Sequence, residues 1–507
     1  MNRRLLATAF ALAFGTAASP VSALDLVQAV QAATGIDPVV ASSRSQLAAV
    51  RERVPQARAG LGPTASASAG INYNVADTSR SPARDWDNQS LGLLASYPVY
   101  RPATREVLAQ SELAAQVAEV QLAQARQDLI LRVAQAYFDV LAAQDSLTAV
   151  RAQKQAFTEQ FASARRNFEV GTATVTDQQE AQARLDLTRA QEVAVENDLA
   201  VRRALLSQLI GRPVETLDTL RPGVEVITPE SGLESEWAGI ARMQNHAVRA
   251  SELSAEIARR EIERQRLGHQ PTLDAVAQAN VSRSGPGSTP TTPVDIRSVG
   301  GLVGLQFSLP LYTGGAVDAR VREAIALQDK AQFDLDNSRR VAEQAARQTF
   351  LGVRSGLEQV RALTAAERSS QLALESNQLG YQVGVRINID VLNAAQQLFS
   401  TQRDLARARY DVLLNNLRLK NTVGDLTEAD VARVNTLLGP PPPPPPPPAA
   451  PAPEPAAAPP SAAPRPAAPR PAAPRPAAPR PATPRPAAPG TVPAIRGGRS
   501  ATPLAPR

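Results

Sequence analysis

The chain has 507 residues, a formal net charge of +6, no cysteine, and only 4% aromatic residues against 43% hydrophobic ones. The positive excess is confined to one end: residues 440–507 hold eight arginines and one glutamate, so the rest carries about −1 and offers no nucleic-acid-binding surface. The lack of cysteine excludes disulfide staples and a lipidated N-terminal cysteine, and few aromatics with much alanine suit close-packed helices better than a thick globular core.

Residues 1–23 read MNRRLLATAFALAFGTAASPVSA, with Arg3 and Arg4, an apolar run from Leu5 to Phe14, and small residues up to Ala23. This pattern predicts a secretory signal peptide cleaved after Ala23, because the run is far short of the ~20 residues that a spanning helix needs. No later stretch approaches ~18 uninterrupted apolar residues, so any membrane span must be built from strands.

From Leu24 to Arg58, Leu26, Val27, Val30, Leu47, Val50 and Val54 recur at mixed steps of three and four, which predicts helix, with a new stretch starting at Pro38. The period then changes. Thr64 to Val75 alternates small or polar with apolar residues, and Gln89 to Val99 forms a second short segment; the polar stretch ADTSRSPARDWDN between them reads as a loop. Each segment is near the ~9 to 11 residues of a tilted membrane strand. Thr104 to Asn167 is a single long helical tract, marked by Leu113, Val117 and Val120 and then Ile130, Val133, Tyr137 and Val140. A further helix covers about Leu233 to Arg266.

The same order then returns. Leu273 to Val281 and Val299 to Leu309 read as a third and a fourth strand, joined by SRSGPGSTPTTP. Tyr97-Pro98-Val99-Tyr100 matches Leu309-Pro310-Leu311-Tyr312 as a strand-to-helix corner, and Trp86, Tyr97, Tyr100, Phe307 and Tyr312 suit interfacial aromatic girdles. A long tract from about Val317 to Gln378 follows, and its return helix carries Val391, Leu398, Leu405, Val412 and Leu419 at a spacing of seven, the sign of a left-handed coiled-coil seam. A fixed offset of 213 superposes Val170 on Val383, Gly171 on Gly384, Asp177 on Asp390, Leu185 on Leu398 and Gly211 on Gly424 without a gap. The expected organisation is therefore two copies of one unit, 24–220 and 221–438. Residues 439–507 form a tail of nine prolines followed by PAAPR pentads. Polyproline II and disorder are its expected states, as a solvated spacer or as a basic arm touching anionic envelope polymers. Four strands cannot close a barrel, so several chains must complete one.

Catalytic patterns are missing. The two histidines, His246 and His269, stand far apart, and no phosphate-binding loop, nucleophile elbow or zinc-helix motif occurs, so no enzyme, cofactor or metal site is expected.

The order helix, two strands, long helix pair, repeated, together with AYFDVLAAQDSL (136–147), FEVGTATVTDQQ (168–179), FSLPLYTGG (307–315) and GYQVGVRINIDVLNA (380–394), resembles the TolC family of outer-membrane efflux proteins over about Leu24 to Leu438. The resemblance implies a mainly α fold with a β-barrel part. Three identical chains would share one twelve-stranded barrel in outer-membrane lipid, continued through the periplasm by a long α-helical barrel. It implies a passive exit duct for drugs or proteins, in tripartite efflux or type I secretion, fed by an inner-membrane RND, ABC or MFS pump through a periplasmic adaptor. By the same resemblance, Val170, Gly171, Thr172, Val383, Gly384 and Val385 would be adaptor-docking tips. Tyr381 and Arg386 would hold the entrance shut, with Thr176, Asp177 and Gln160 as partners and Gln378 where a glutamate can join them. Asp390 would form an acidic ring, and Asn393 stands where a second acidic ring often lies. Read from the residues alone, Asp177 and Asp390 suit N-terminal helix caps, and Thr176 with Gln179 fits a capping box. A periplasmic coiled-coil scaffold or adaptor without a pore is the alternative, and the four alternating segments argue against it.

Overall fold

The computed structural model describes residues 23–79, 81–221, 232–288 and 294–440. The expected leader before Ala23 and the proline- and arginine-rich tail beyond Pro440 lie outside the described residues. Helices α1 (Leu26–Ile36), α2 (Pro38–Arg51) and α3 (Arg53–Ala59) precede strands β1 (Thr64–Thr78) and β2 (Ser81–Tyr100), the long pair α4 (Pro102–Glu169) and α5 (Val175–Ile210), and the short β3 (Thr219–Leu220). The second half runs α6 (Glu234–Gln244), α7 (His246–Arg266), β4 (Thr272–Ser284), β5 (Ile296–Ser308), α8 (Ala316–Gln382), α9 (Asn388–Val423), α10 (Glu428–Asn435) and β6 (Leu438–Gly439).

The sheet order is β1-β2-β4-β5, and every neighbour is antiparallel. Residues directly opposite one another share a face, so the register sorts the sheet into rows. Ala69, Leu91, Val281 and Val299 make one row and Ala65, Ala95, Ala277 and Val303 another on the same side; Gly70, Ser90, Ser282 and Ser298 make a row on the other side. Over these rows one face is apolar and the opposite face small and polar, the division expected between lipid and a watery lumen, with Leu94 and Leu302 as exceptions on the polar side and Arg283 and Arg297 on the apolar side. β1 and β5 are edges, hydrogen-bonded on one side only within the chain.

Two expectations fail. The stretch 76–88 is not a loop, because β1 and β2 run on through it as a longer hairpin. Asn74 pairs with Trp86, Arg84 lies over the Trp86 ring at 5.6 Å, and the Tyr73 hydroxyl meets the Asp85 carboxylate. Cross-strand polar pairing of this kind sustains a ladder in water without an apolar alternation. The single helix predicted over 233–266 is broken at Asn245, whose amide oxygen caps α7 by accepting from the backbone of Ala247 (2.8 Å) and Val248 (3.3 Å). The same amide donates to the Thr422 carbonyl at 2.7 Å, tying the break to α9.

The α4 and α8 helices, of 68 and 67 residues, each extend about 100 Å at 1.5 Å per residue. No described helix is long and apolar enough to cross a membrane. Their apolar contacts gather in three separate clusters rather than one core. The seven-residue series Val391, Leu398, Leu405, Val412 and Leu419 is buried throughout. In the largest cluster the Phe138 ring stacks on Tyr410 at 5.9 Å. Fully buried Tyr137 lies edge-on to Phe138, and its hydroxyl sits 3.0 Å from the Leu24 carbonyl and 2.9 Å from that of Asp218. Burial pushes this phenol far above its ordinary range, so it remains a donor at every physiological pH. Tyr137 therefore ties Leu24, just before α1, and the segment after α5 to the middle of α4. Tyr137→Phe is expected to cost about 1–2 kcal/mol, mainly by removing the donor to the Asp218 carbonyl, since the Leu24 carbonyl keeps the Asp218 N–H at 3.2 Å; this is read as a lower unfolding temperature with an unchanged helix signal in circular dichroism.

Candidate functional site

Both long hairpins turn in the same way. Past α4, the backbone N–H groups of Val170, Gly171, Thr172 and Ala173 donate to the carbonyls of Arg166, Phe168, Asn167 and Asn167. Past α8, those of Val383, Gly384, Val385 and Arg386 donate to Leu379, Tyr381, Gly380 and Gly380, which is the same set of bonds shifted by 213. Each is a Schellman-type helix end, which requires a left-handed residue after the cap. Gly171 (φ 77°) and Gly384 (φ 78°) supply it. An added Cβ at either glycine meets nothing within 4 Å, so glycine is needed for its backbone angle and not for space. Around them Val170, Val383 and Val385 are strongly exposed, at 72%, 64% and 78%. Exposed apolar side chains on backbone-closed turns make a surface suited to a partner.

The helices that leave the two turns start differently. Thr174 caps α5: its hydroxyl accepts from the Asp177 N–H (3.2 Å), while the Asp177 carboxylate accepts from the Thr174 N–H (3.0 Å). The capping box is therefore Thr174 with Asp177, and not Thr176 with Gln179; both Thr-x-x-polar patterns exist in the sequence, and the Schellman bonds fix which threonine stands at the cap. At the equivalent place in α9 stands Ile387, which has no capping side chain. Asp390 consequently caps nothing, contrary to the reading of it as an N-cap. Its carboxylate faces Arg386 at 3.6 Å instead. Gly380 makes room for this, since a Cβ there would lie 2.7 Å from Arg386 Cγ.

Among the described residues of one protomer, Tyr381 and Arg386 have partners other than Thr176, Asp177 and Gln160. The Tyr381 hydroxyl accepts from the Asn167 amide at 3.2 Å, which links α8 to α4. Gln160 donates to Asn388 Oδ1 at 2.5 Å, and Asn388 donates onward to the Asp177 carbonyl at 3.0 Å. Thr176 and Gln378 are exposed and have no side-chain hydrogen bond among the described residues. Asn393 is exposed, and its Oδ1 accepts from Arg184 at 3.2 Å; a second Arg184 nitrogen donates to Gln396 Oε1 at 2.5 Å. Asn388, Asn167 and Arg184 were invisible to sequence reasoning. Asn388 is fully buried between α4, α5 and α9, yet an asparagine at a helix start looks like ordinary capping chemistry. Beneath these links Phe157, Leu185, Val391, Leu392 and Leu398 form the apolar cluster that joins the hairpins.

A four-stranded sheet with open edges, set on paired helices of about 100 Å, defines an outer-membrane channel protomer. The sequence matches the family model described as outer membrane efflux protein over residues 29–212 and 237–425, and the chain belongs to that family. It is 33% identical to the outer membrane protein TolC of Vibrio cholerae, over 85% of this chain and 98% of that protein. It is 30% identical to the proteases secretion protein PrtF of Dickeya chrysanthemi, over 85% of this chain and 94% of that one. The fold also resembles the crystal structure of CusC, with a TM-score of 0.68 at 16% identity, covering 79% of this chain and 92% of that one. The protein is thus an outer-membrane exit duct of the efflux and type I secretion kind, whose helices extend through the periplasm. Members of the class are transport channels that form trimers and work with inner-membrane pumps and adaptors.

Replacing Asn388 by leucine would leave the part-buried Gln160 amide without its acceptor and remove the tie from α9 to the Asp177 carbonyl. A loss of about 2 kcal/mol is expected, together with faster amide hydrogen exchange in residues 174–185 than in α1. Unchanged exchange there would mean that the Asn388 bridge carries no load.

Proposed function

We propose that the two turns form the periplasmic entrance of the duct, that the entrance is closed at rest, and that an adaptor docks on Val170, Gly171, Thr172, Val383, Gly384 and Val385. The pump it serves is of the RND, ABC or MFS kind, and the cargo is drugs or secreted protein. The observation that carries this reading is the duplicated turn. Two surfaces of identical backbone design, 213 residues apart, present exposed valines at the ends of both hairpins. Three protomers would offer six such turns. A partner that caps the end of a helical barrel needs repeated surfaces of this kind.

The resting closure is assigned to the second hairpin. Three copies of Asp390 would converge on one ring, where like charges attract cations. The absence of a capping duty leaves each Asp390 carboxylate to Arg386, and Tyr381 hydrogen-bonds across to the first hairpin. Thr176, Asp177, Gln160 and Gln378 lie on the surfaces that neighbouring hairpins would meet.

Two experiments test this reading. The purified trimer in a planar bilayer should show low, cation-selective conductance that multivalent cations block from the periplasmic side. Asp390→Ala should weaken that block, and Tyr381→Phe combined with Arg386→Ser should raise conductance while heat-resistant trimer migration persists; an unaltered block in Asp390→Ala would overturn the acidic ring. For docking, replacing Gly171 and Gly384 with bulky residues should abolish pump-dependent export without loss of trimer. Normal export by that double variant would place the adaptor elsewhere.

A further inference from the structure

The strongest unassigned feature is Arg184. It lies on α5, one helical turn beyond Glu180, and reaches across to α9, where both of its acceptors are neutral amides: Asn393 Oδ1 at 3.2 Å and Gln396 Oε1 at 2.5 Å. Among the described residues no carboxylate lies within ion-pair distance of it, Glu180 included. An arginine held by amides keeps its full charge, since hydrogen bonds to neutral oxygens orient a guanidinium without neutralising it. Asn393 follows Asp390 by three positions and so stands on the same side of α9 one turn away. The clasp therefore fixes a positive charge against α9 one helical turn from Asp390. In a narrow constriction with low-dielectric walls, screening between such charges is weak.

The duplication sharpens the point. With the offset of 213, Arg184 corresponds to Gln397, and Asn393 corresponds to Glu180. Neither repeat carries over the charge of the other at these two places. Gln397 donates along its own helix to Thr401 at 3.3 Å and spans no hairpin. Among the described residues this arginine clasp is made once, between α5 and α9.

We infer that Arg184 is a selectivity-determining residue of the entrance, its clasped guanidinium offsetting the Asp390 ring where an acidic residue in place of Asn393 would have reinforced it. The inference rests on the proposed entrance at the second hairpin. Its consequence is an entrance of mixed sign, less hostile to anionic cargo than one with two acidic rings.

Reversal potentials of the full-length trimer in asymmetric KCl test it. Arg184→Gln should raise the cation-to-anion permeability ratio several-fold and strengthen block by a trivalent cation, whereas Arg184→Lys, which keeps the charge but loses the planar fork, should leave the ratio near that of the unmodified protein. Asn393→Asp should change selectivity little while Arg184 pairs with it; Asn393→Asp with Arg184→Gln should give the largest cation selectivity of the set. Equal shifts in Arg184→Gln and Arg184→Lys would assign the effect to clasp geometry and overturn the inference. No shift in Arg184→Gln alongside weakened block in Asp390→Ala would overturn it while leaving the acidic ring standing. No response in either would overturn both readings.

Discussion

Everything in this protein follows from the rule that a peptide group in lipid must be hydrogen-bonded. The chain supplies four antiparallel strands and leaves β1 and β5 each with one open side. A sheet of this width cannot curl onto itself, so closure has to come from copies of the same chain, and the unlike edges β1 and β5 meeting head to tail generate a ring. Once the ring is set, each protomer must place its helices beneath its own sector. The strand-to-helix corners do this: Arg101 grips Asp274 with two hydrogen bonds of 2.8 and 2.7 Å, joining the end of β2 to the start of β4 where α4 begins.

The helical part has the opposite problem. It stands in water and buries its apolar surface in strips, as three clusters along the hairpins. Long, alanine-rich helices gain little from any one turn, so alignment rests on sparse anchors. Tyr137 and Asn245 fix the middle, and Asn388 fixes the far end. Asp37 is a further anchor, capping α2 through Val40 at 2.8 Å while accepting from Arg132 of α4 at 3.1 Å.

Much of this was legible in the sequence because periodicity is a physical necessity of burial. The heptad from Val391 to Leu419 had to be buried, and the alternating segments had to be strands. What stayed hidden depends on contacts between distant residues. The hairpin through 76–88 is held by polar pairs such as Tyr73 with Asp85, which carry no apolar alternation to read. Thr174 and Thr176 present nearly the same local pattern, and only the turn geometry chooses between them. Arg184 looks like any solvated helix charge until α9 is laid beside it. The repeat itself misleads at Asp390, because its counterpart Asp177 is a capping residue and Asp390 is not.

The two tips have one more implication. Their shape is fixed almost wholly by main-chain bonds, and the space around each glycine is empty. Side chains at Val170, Val383 and Val385 can therefore be exchanged over evolutionary time with hardly any penalty to folding, while the left-handed position costs about 1 kcal/mol when glycine is lost. On the docking proposed above, recognition and stability are written in different atoms: a lineage can retune which machinery it couples to by drifting a few surface positions, and the hundred-ångström columns behind them need not change.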